Sequence, residues 1–170
     1  MIEIRPELPE DADAVREVNC RAFGQPEEAD LVDRLRRGCE ELVSLVAVVQ
    51  NEVVGHILFT PATVEGDGKA VSGMGLAPMA VLPEWQRHGI GSKLVRSGIA
   101  ALKERECPFV IVLGHAGYYP RFGFVPAGRH GIRSEWDVPE EAFMILVLDA
   151  SEMRGLSGVA RYRPEFADAM

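Results

Sequence analysis

Apolar residues recur along the chain with two periods. In "PEDADAVREVNCRAF", Ala14, Val15, Val18 and Ala22 return every three or four residues, and Leu31, Val32 and Leu35 do so in "EEADLVDRLRR". Both patterns predict amphipathic helices. Pro9 followed by acids marks the start of the first. Arg34, Arg36 and Arg37 gather toward the C-terminal end of the second, where the helix dipole favours cations. "IEIRP" reads as a short first strand closed by Pro6. "LVSLVAVV", the turn "QNE" and "VVGHILFTPATVE" predict a β-hairpin. "EGDGKA" is a further turn, and "GMGLAPMAV" a strand punctuated by glycine. "GSKLVRSGIAALKERE" goes back to helical spacing, with Leu94, Val95, Ile99 and Leu102 as its buried stripe. "PFVIVLG" and "AFMILVLD" are apolar throughout, as in strands covered on both faces.

The predicted order is strand, two helices, three strands, helix, strand, short helix, then one or more strands. That order describes an α/β (α+β) fold: a mixed sheet with an antiparallel meander in its first half and one βαβ crossover. No repeat or low-complexity linker interrupts it. Residues 1–150 are read as one domain. The less regular tail from Ser151 is read as an extension packed on that domain or lengthening it.

Composition and charge narrow the function. The 170 residues suit one domain with a sizeable core. Hydrophobic residues at 47% and charged residues at 26% are the balance of a folded chain, not a disordered one. A net charge of −8 argues against nucleic acid as the partner, and it requires any anion to be held by a local site. The apolar runs are strand-length, too short for a membrane span. Acids at the N-terminus replace the basic segment of an export signal, so a cytoplasmic location is expected. Cys20, Cys39 and Cys107 form no C-x-x-C pair, so neither a disulfide framework nor a metal site is expected.

One segment stands out. In "VLPEWQRHGIGSKLV" a strand ends at Val81, a short loop follows, and Gly89 and Gly91 open a helix. The first N–H groups of a helix are unpaired and carry partial positive charge, and glycine lets an anion approach them. Arg87 and His88 add local basic character. Phosphate or pyrophosphate binding is the chemistry implied. The dinucleotide fingerprint is disfavoured, because Leu94 stands where its third glycine belongs. The P-loop is disfavoured because Ser92-Lys93 follows Gly91 in the wrong order, and a nucleotide- or NAD-binding module stays open as a third reading. What remains is Q-x-x-G-x-G: Gln86, Gly89, Gly91.

With the preceding strand, "MAVLPEWQRHGIGSKLV" resembles the acyl-CoA loop of the GCN5-related N-acetyltransferases. "GHAGYYPRFGFVPA" is similar to that family's segment after the fifth strand, closing on Gly123-Phe124. The resemblance spans roughly residues 2–150, and the small bacterial members carrying "YYPRFGF" are the most similar. It implies acetyl-CoA as co-substrate, with pantetheine lying between two splayed strands, here "GLAPMAV" and "FVIVLG". The cofactor contacts it implies are Met79, Ala80, Val81, Gln86, Arg87, His88, Gly89, Ile90, Gly91 and Ser92. Pro78 supports the strand assignment independently, since proline cannot donate to a ladder and marks bulges or edges. An N–H freed there could polarise the thioester carbonyl.

The reaction implied is acetyl transfer to an amine through a tetrahedral intermediate, with CoA leaving as thiolate. The family's proton-donating tyrosine falls on Tyr119, four residues before Gly123. An ordinary phenol keeps its proton at neutral pH. The base stays open between His115, His56, Glu84 and water. Trp85 covers the helix start, and Arg121 and Arg129 are read as solvated. The acceptor amine is set by residues near Phe23–Glu27, the turn at Gly66 and "GRHGIRSEWDVPEE", and its identity stays open. A non-catalytic acyl-CoA sensor is the alternative reading. A homodimer through the C-terminal tail is compatible with this fold.

Overall fold

The computed structural model describes residues 1–169. The elements in chain order are β1 (Glu3–Pro6), α1 (Ala12–Phe23), α2 (Glu27–Gly38), β2 (Val43–Val49), β3 (Glu52–Gly66), β4 (Lys69–Val81), α3 (Ile90–Glu104) and β5 (Phe109–Leu113). They are followed by β6 (Val125–Pro126), β7 (Ile132–Ser134), β8 (Phe143–Val147), α4 (Ala150–Met153) and β9 (Gly158–Arg161). The fold is mixed α/β, with a mostly antiparallel open sheet flanked by helices.

The chain forms two compact units. The first comprises Met1–Thr60, Ala77–Ala100 and the stretch from Pro164 onward. Here β1 lies antiparallel to β2 and β2 antiparallel to β3. Gln50 and Asn51 take φ of 52° and 66°, the left-handed pair that closes a tight two-residue hairpin between β2 and β3. The helical stripes face inward as their spacing requires. Val15, Val18, Leu31, Val32 and Leu35 are buried, and so are Leu94, Val95, Ile99 and Leu102. Arg16 holds α1 to α2 through Asp30 and Asp33, each at 2.8 Å.

The second unit comprises Pro61–Leu76 and Ala101–Arg163. Its centre is β5, which pairs parallel with β4 from Met74↔Val110 to Leu76↔Val112 and antiparallel with β8 along its whole length. Phe109, Val110, Ile111 and Val112 are all buried, so both faces of β5 are covered. β6 adds to β8, while β7 pairs with β9 and β9 with the end of β3.

The structure refines the sequence reading in three places. The strand expected from Gly73 already starts at Lys69. The first helix is preceded by a separate 3-10 turn, Pro9–Asp11. The tail contains α4, capped by the Asp149 carboxylate on the Ser151 and Glu152 amides, and the paired strand β9. Strands of two to four residues carry too few alternations to announce themselves.

Candidate acyl-CoA site

The glycine loop is rebuilt from its own side chains. β4 ends at Val81, and the Leu82 N–H donates to the Val54 carbonyl at 2.9 Å, anchoring the exit. A 3-10 turn, Pro83–Trp85, follows. Gln86 Nε2 donates back to the Val81 carbonyl at 3.0 Å. His88 Nδ1 lies 2.9 Å from the Gln86 carbonyl and 3.2 Å from that of Trp85. A carbonyl only accepts, so Nδ1 carries the proton. The Trp85 and His88 rings sit 5.6 Å apart. Gln86 and His88 thus brace the loop with their side chains. Arg21 pairs with the Glu84 carboxylate at 2.8 Å, which commits that acid to the loop's flank.

Two residues in this loop take left-handed backbone, Arg87 at φ 66° and Gly89 at φ 78°. At Gly89 a side chain would meet nothing within 4 Å, so the glycine is required by its φ and not by crowding. Residues 86–89 are exposed, and Ile90 is buried as the first anchor of α3. The first helical bond runs from the Lys93 N–H to the Gly89 carbonyl at 3.1 Å. The Ile90 and Gly91 amides therefore lie at the open mouth of α3, and half-buried Ser92 completes the turn. The arrangement suits an anion.

Met79 and Val81 are half-buried and Ala80 is buried. The register of β4 with β5 ends at Leu76, one residue before the Ala77–Pro78 dipeptide, while β4 runs on to Val81. Sequence reading expects a bulge or edge at Pro78; the register with β5 ends two residues earlier, at Leu76, and β4 itself runs through Pro78.

Tyr119 belongs to the second unit and is 7% exposed. Its ring meets Phe124 edge-on at 5.6 Å and Tyr118 at 5.1 Å. A side chain on Gly114 would come within 2.5 Å of the Tyr119 ring, so the glycine after β5 makes room for it. Burial first, and the neighbouring Tyr118 second, push the Tyr119 phenol up to about 12. It is neutral at every physiological pH. Arg121 is not free in solvent: its guanidinium stands 4.5 Å above the Tyr118 ring and its Nε donates to the Tyr118 carbonyl at 2.9 Å. Arg129 is exposed.

The base candidates separate clearly. His115 is exposed just beyond β5, with its carbonyl accepting from the Tyr118 N–H at 3.0 Å. His56 is fully buried, Nδ1 lying 3.1 Å from Asn19 Nδ2 and Nε2 2.9 Å from Ser44 Oγ. Asn19 donates, so Nδ1 accepts and Nε2–H donates to Ser44. Ser44 passes its own proton toward Glu7, which also receives Arg36. Burial, and then the positive charge of Arg36, lower the His56 pKa to about 3. With both nitrogens engaged, His56 is structural and leaves the list of bases. Sequence reading saw none of its partners, because Glu7, Asn19, Arg36 and Ser44 come from four separate segments.

Comparison with known proteins bears on this geometry. Residues 3–127 match the family model described as an acetyltransferase (GNAT) domain. The chain is 47% identical over 134 residues to the uncharacterized N-acetyltransferase YjhQ of Escherichia coli, covering 77% of this chain and 74% of YjhQ. It is 33% identical over 164 residues to the uncharacterized N-acetyltransferase YhbS of the same organism, covering 96% and 97%. The crystal structure of YhbS in complex with CoA superimposes with a TM-score of 0.90, covering 98% of this chain and 92% of that one. A GNAT family acetyltransferase from Brucella melitensis in complex with acetyl-CoA gives 0.78 at 32% identity, covering 98% of both. The chain belongs to the GNAT acetyltransferase family.

Proposed function

We propose that this protein transfers the acetyl group of acetyl-CoA to a primary amine by direct attack. The observation that carries the reading is the exposed loop of residues 86–89 that opens α3, left-handed at Arg87 and Gly89 and braced by the Gln86 and His88 side chains. The CoA and acetyl-CoA complexes of similar proteins supply the ligand that such a mouth would hold. In this reading the pyrophosphate sits on the helix amides, and the backbone of Met79, Ala80 and Val81 receives the pantetheine and thioester.

The amine arrives neutral, its proton passing to solvent directly or through exposed His115. Its nitrogen bonds to the thioester carbon and gives one proton to solvent, the tetrahedral intermediate collapses, and the carbon–sulfur bond breaks to leave amide and thiolate. In this reading Tyr119 serves the leaving sulfur, with a phenol held near 12. An ordinary thiol has a pKa of about 8.5, so handing over the phenolic proton is uphill by roughly 3.5 units, or about 5 kcal/mol. Tyr119 therefore serves as a hydrogen-bond donor to the leaving sulfur, and solvent supplies the proton that restores CoA.

The test is thermal unfolding with acetyl-CoA, CoA, ATP and NAD in parallel. A ligand at 100 times its Kd stabilises by about 2.7 kcal/mol, a shift of several degrees for a chain this size. Stabilisation by acetyl-CoA and CoA alone supports the reading. An equal response to ATP or NAD, or none to CoA, refutes it. Binding with no acetyl transfer to any amine would reassign the chain as an acyl-CoA sensor.

A further inference from the structure

The second unit contains a cavity of about 270 Å³ that the acyl-CoA reading does not use. Buried Ile132 and Phe143 supply apolar lining. Trp136 contributes an aromatic wall and is stacked on Tyr162, with centroids 5.2 Å apart and planes 24° from parallel. One side of the indole is thus taken by Tyr162, and the ring is held rigid where it lines the cavity. Arg133, Asp137 and Glu140 also line it, and all three are exposed.

Two routes connect this cavity to Tyr119. Phe143 stands opposite Leu113 in the β5–β8 ladder, and the adjacent Ala142 carbonyl accepts the Gly114 N–H at 2.9 Å. Gly114 is the residue whose missing side chain admits the Tyr119 ring. The second route passes through Tyr162, whose buried ring presses on β4 so closely that a side chain on Gly75 would come within 2.6 Å of it. Burial, and then the Tyr119 phenol, raise the pKa of the Tyr162 hydroxyl, so the two phenols are electrostatic neighbours. The cavity lies beyond the stretch matched by the family model, which ends at residue 127, so the match assigns it no role.

We propose that this cavity receives the far end of the acceptor and selects an amine bearing a second positive charge, an α,ω-diamine. The inference rests on the acetyl-transfer reading. Its chemistry is local. A short methylene chain covers Ile132 and Phe143, while a terminal ammonium meets the indole of Trp136 and the carboxylates of Asp137 and Glu140. Two carboxylates against the single guanidinium of Arg133 leave the cavity negative, in keeping with a chain of net charge −8. The other amino group, neutral, is the one that attacks.

The experiment compares cadaverine, pentylamine and δ-aminovalerate, which share a five-carbon chain and end in a positive, neutral or negative group. CoA release from acetyl-CoA gives kcat/KM for each, and calorimetry gives amine binding to the intact protein. Cadaverine should exceed pentylamine by about tenfold, the joint effect of an exposed ion pair and a cation–π contact. Asp137→Asn and Trp136→Leu should each bring cadaverine toward pentylamine, mainly through KM. Equal values for all three amines overturn the inference while leaving acetyl transfer intact, and a preference for δ-aminovalerate overturns it in favour of Arg133. CoA release with none of the three, from protein that binds acetyl-CoA, counts against the transfer reading. Calorimetry then decides the cavity by itself: cadaverine binding lost in Asp137→Asn supports it, and no binding overturns it.

Discussion

His56 gives a prediction whose size can be worked out in advance. The perturbation is a change of pH from 7.5 to 5. In the unfolded chain the imidazole takes up a proton below about 6.5. In the folded chain it does so only near 3, because burial and the Arg36 charge oppose it. Between those values the unfolded state binds one more proton, so stability falls as pH falls, by about 1.36 kcal/mol per unit. Above 6.5 the group contributes no slope. At pH 5 the loss is about 2 kcal/mol, large against a typical total of 5–15 kcal/mol. The other histidines, His88, His115 and His130, are exposed. The assay is urea unfolding of the protein and of His56→Gln at both values. Glutamine accepts from Asn19 and donates to Ser44 without titrating, so the variant starts less stable but loses much less on acidification. Equal pH slopes for the two proteins would refute the buried neutral imidazole, and with it the donor order from Asn19 to Glu7.

Two further substitutions test the packing and the chemistry. Gly98→Ala sits mid-helix in α3, where alanine is ordinarily worth about 1 kcal/mol, yet the new methyl would come within 2.3 Å of buried Phe59. Overpacking costs about 1–3 kcal/mol, so the sign should reverse and the melting temperature drop; a rise would show that Phe59 yields. On the proposed role, Tyr119→Phe would remove a hydrogen bond to a charged sulfur, worth about 1.5–3 kcal/mol, and should lower turnover roughly tenfold to a hundredfold with acetyl-CoA affinity little changed. Unchanged turnover, with chemistry rate-limiting, would remove Tyr119 from the mechanism. In the unmodified protein the phenol should give no alkaline loss of rate below about pH 11, since its pKa is raised to about 12.

Much of this protein was legible in the chain because the responsible signals are local. Helical spacing placed Leu31, Val32 and Leu35 inward, and Leu94, Val95 and Leu102 likewise. Unbroken apolar runs identified β5 and β8 as interior strands. Gly89 could be singled out because its demand is on its own backbone: the φ of 78° is a property of one residue. The motif around it, with "YYPRFGF", was enough to indicate the family that residues 3–127 match.

What the chain could not show depends on residues far apart in sequence. Gly114 and Gly75 look like ordinary strand glycines until the rings of Tyr119 and Tyr162 arrive against them. Trp136 and Tyr162 stack across 26 positions, and the segment containing Arg133, Asp137 and Glu140 has no pattern of its own. His56 reads as a candidate base until Asn19 and Ser44 occupy both its nitrogens. Periodicity and backbone preference are written locally, so the sequence by itself determined the longer elements, the glycine turn and the family. Burial, long-range pairing and the proton affinities they shift exist only once distant segments meet, and tertiary structure alone decided which histidine is free, where Tyr119 is held and what lies beside it.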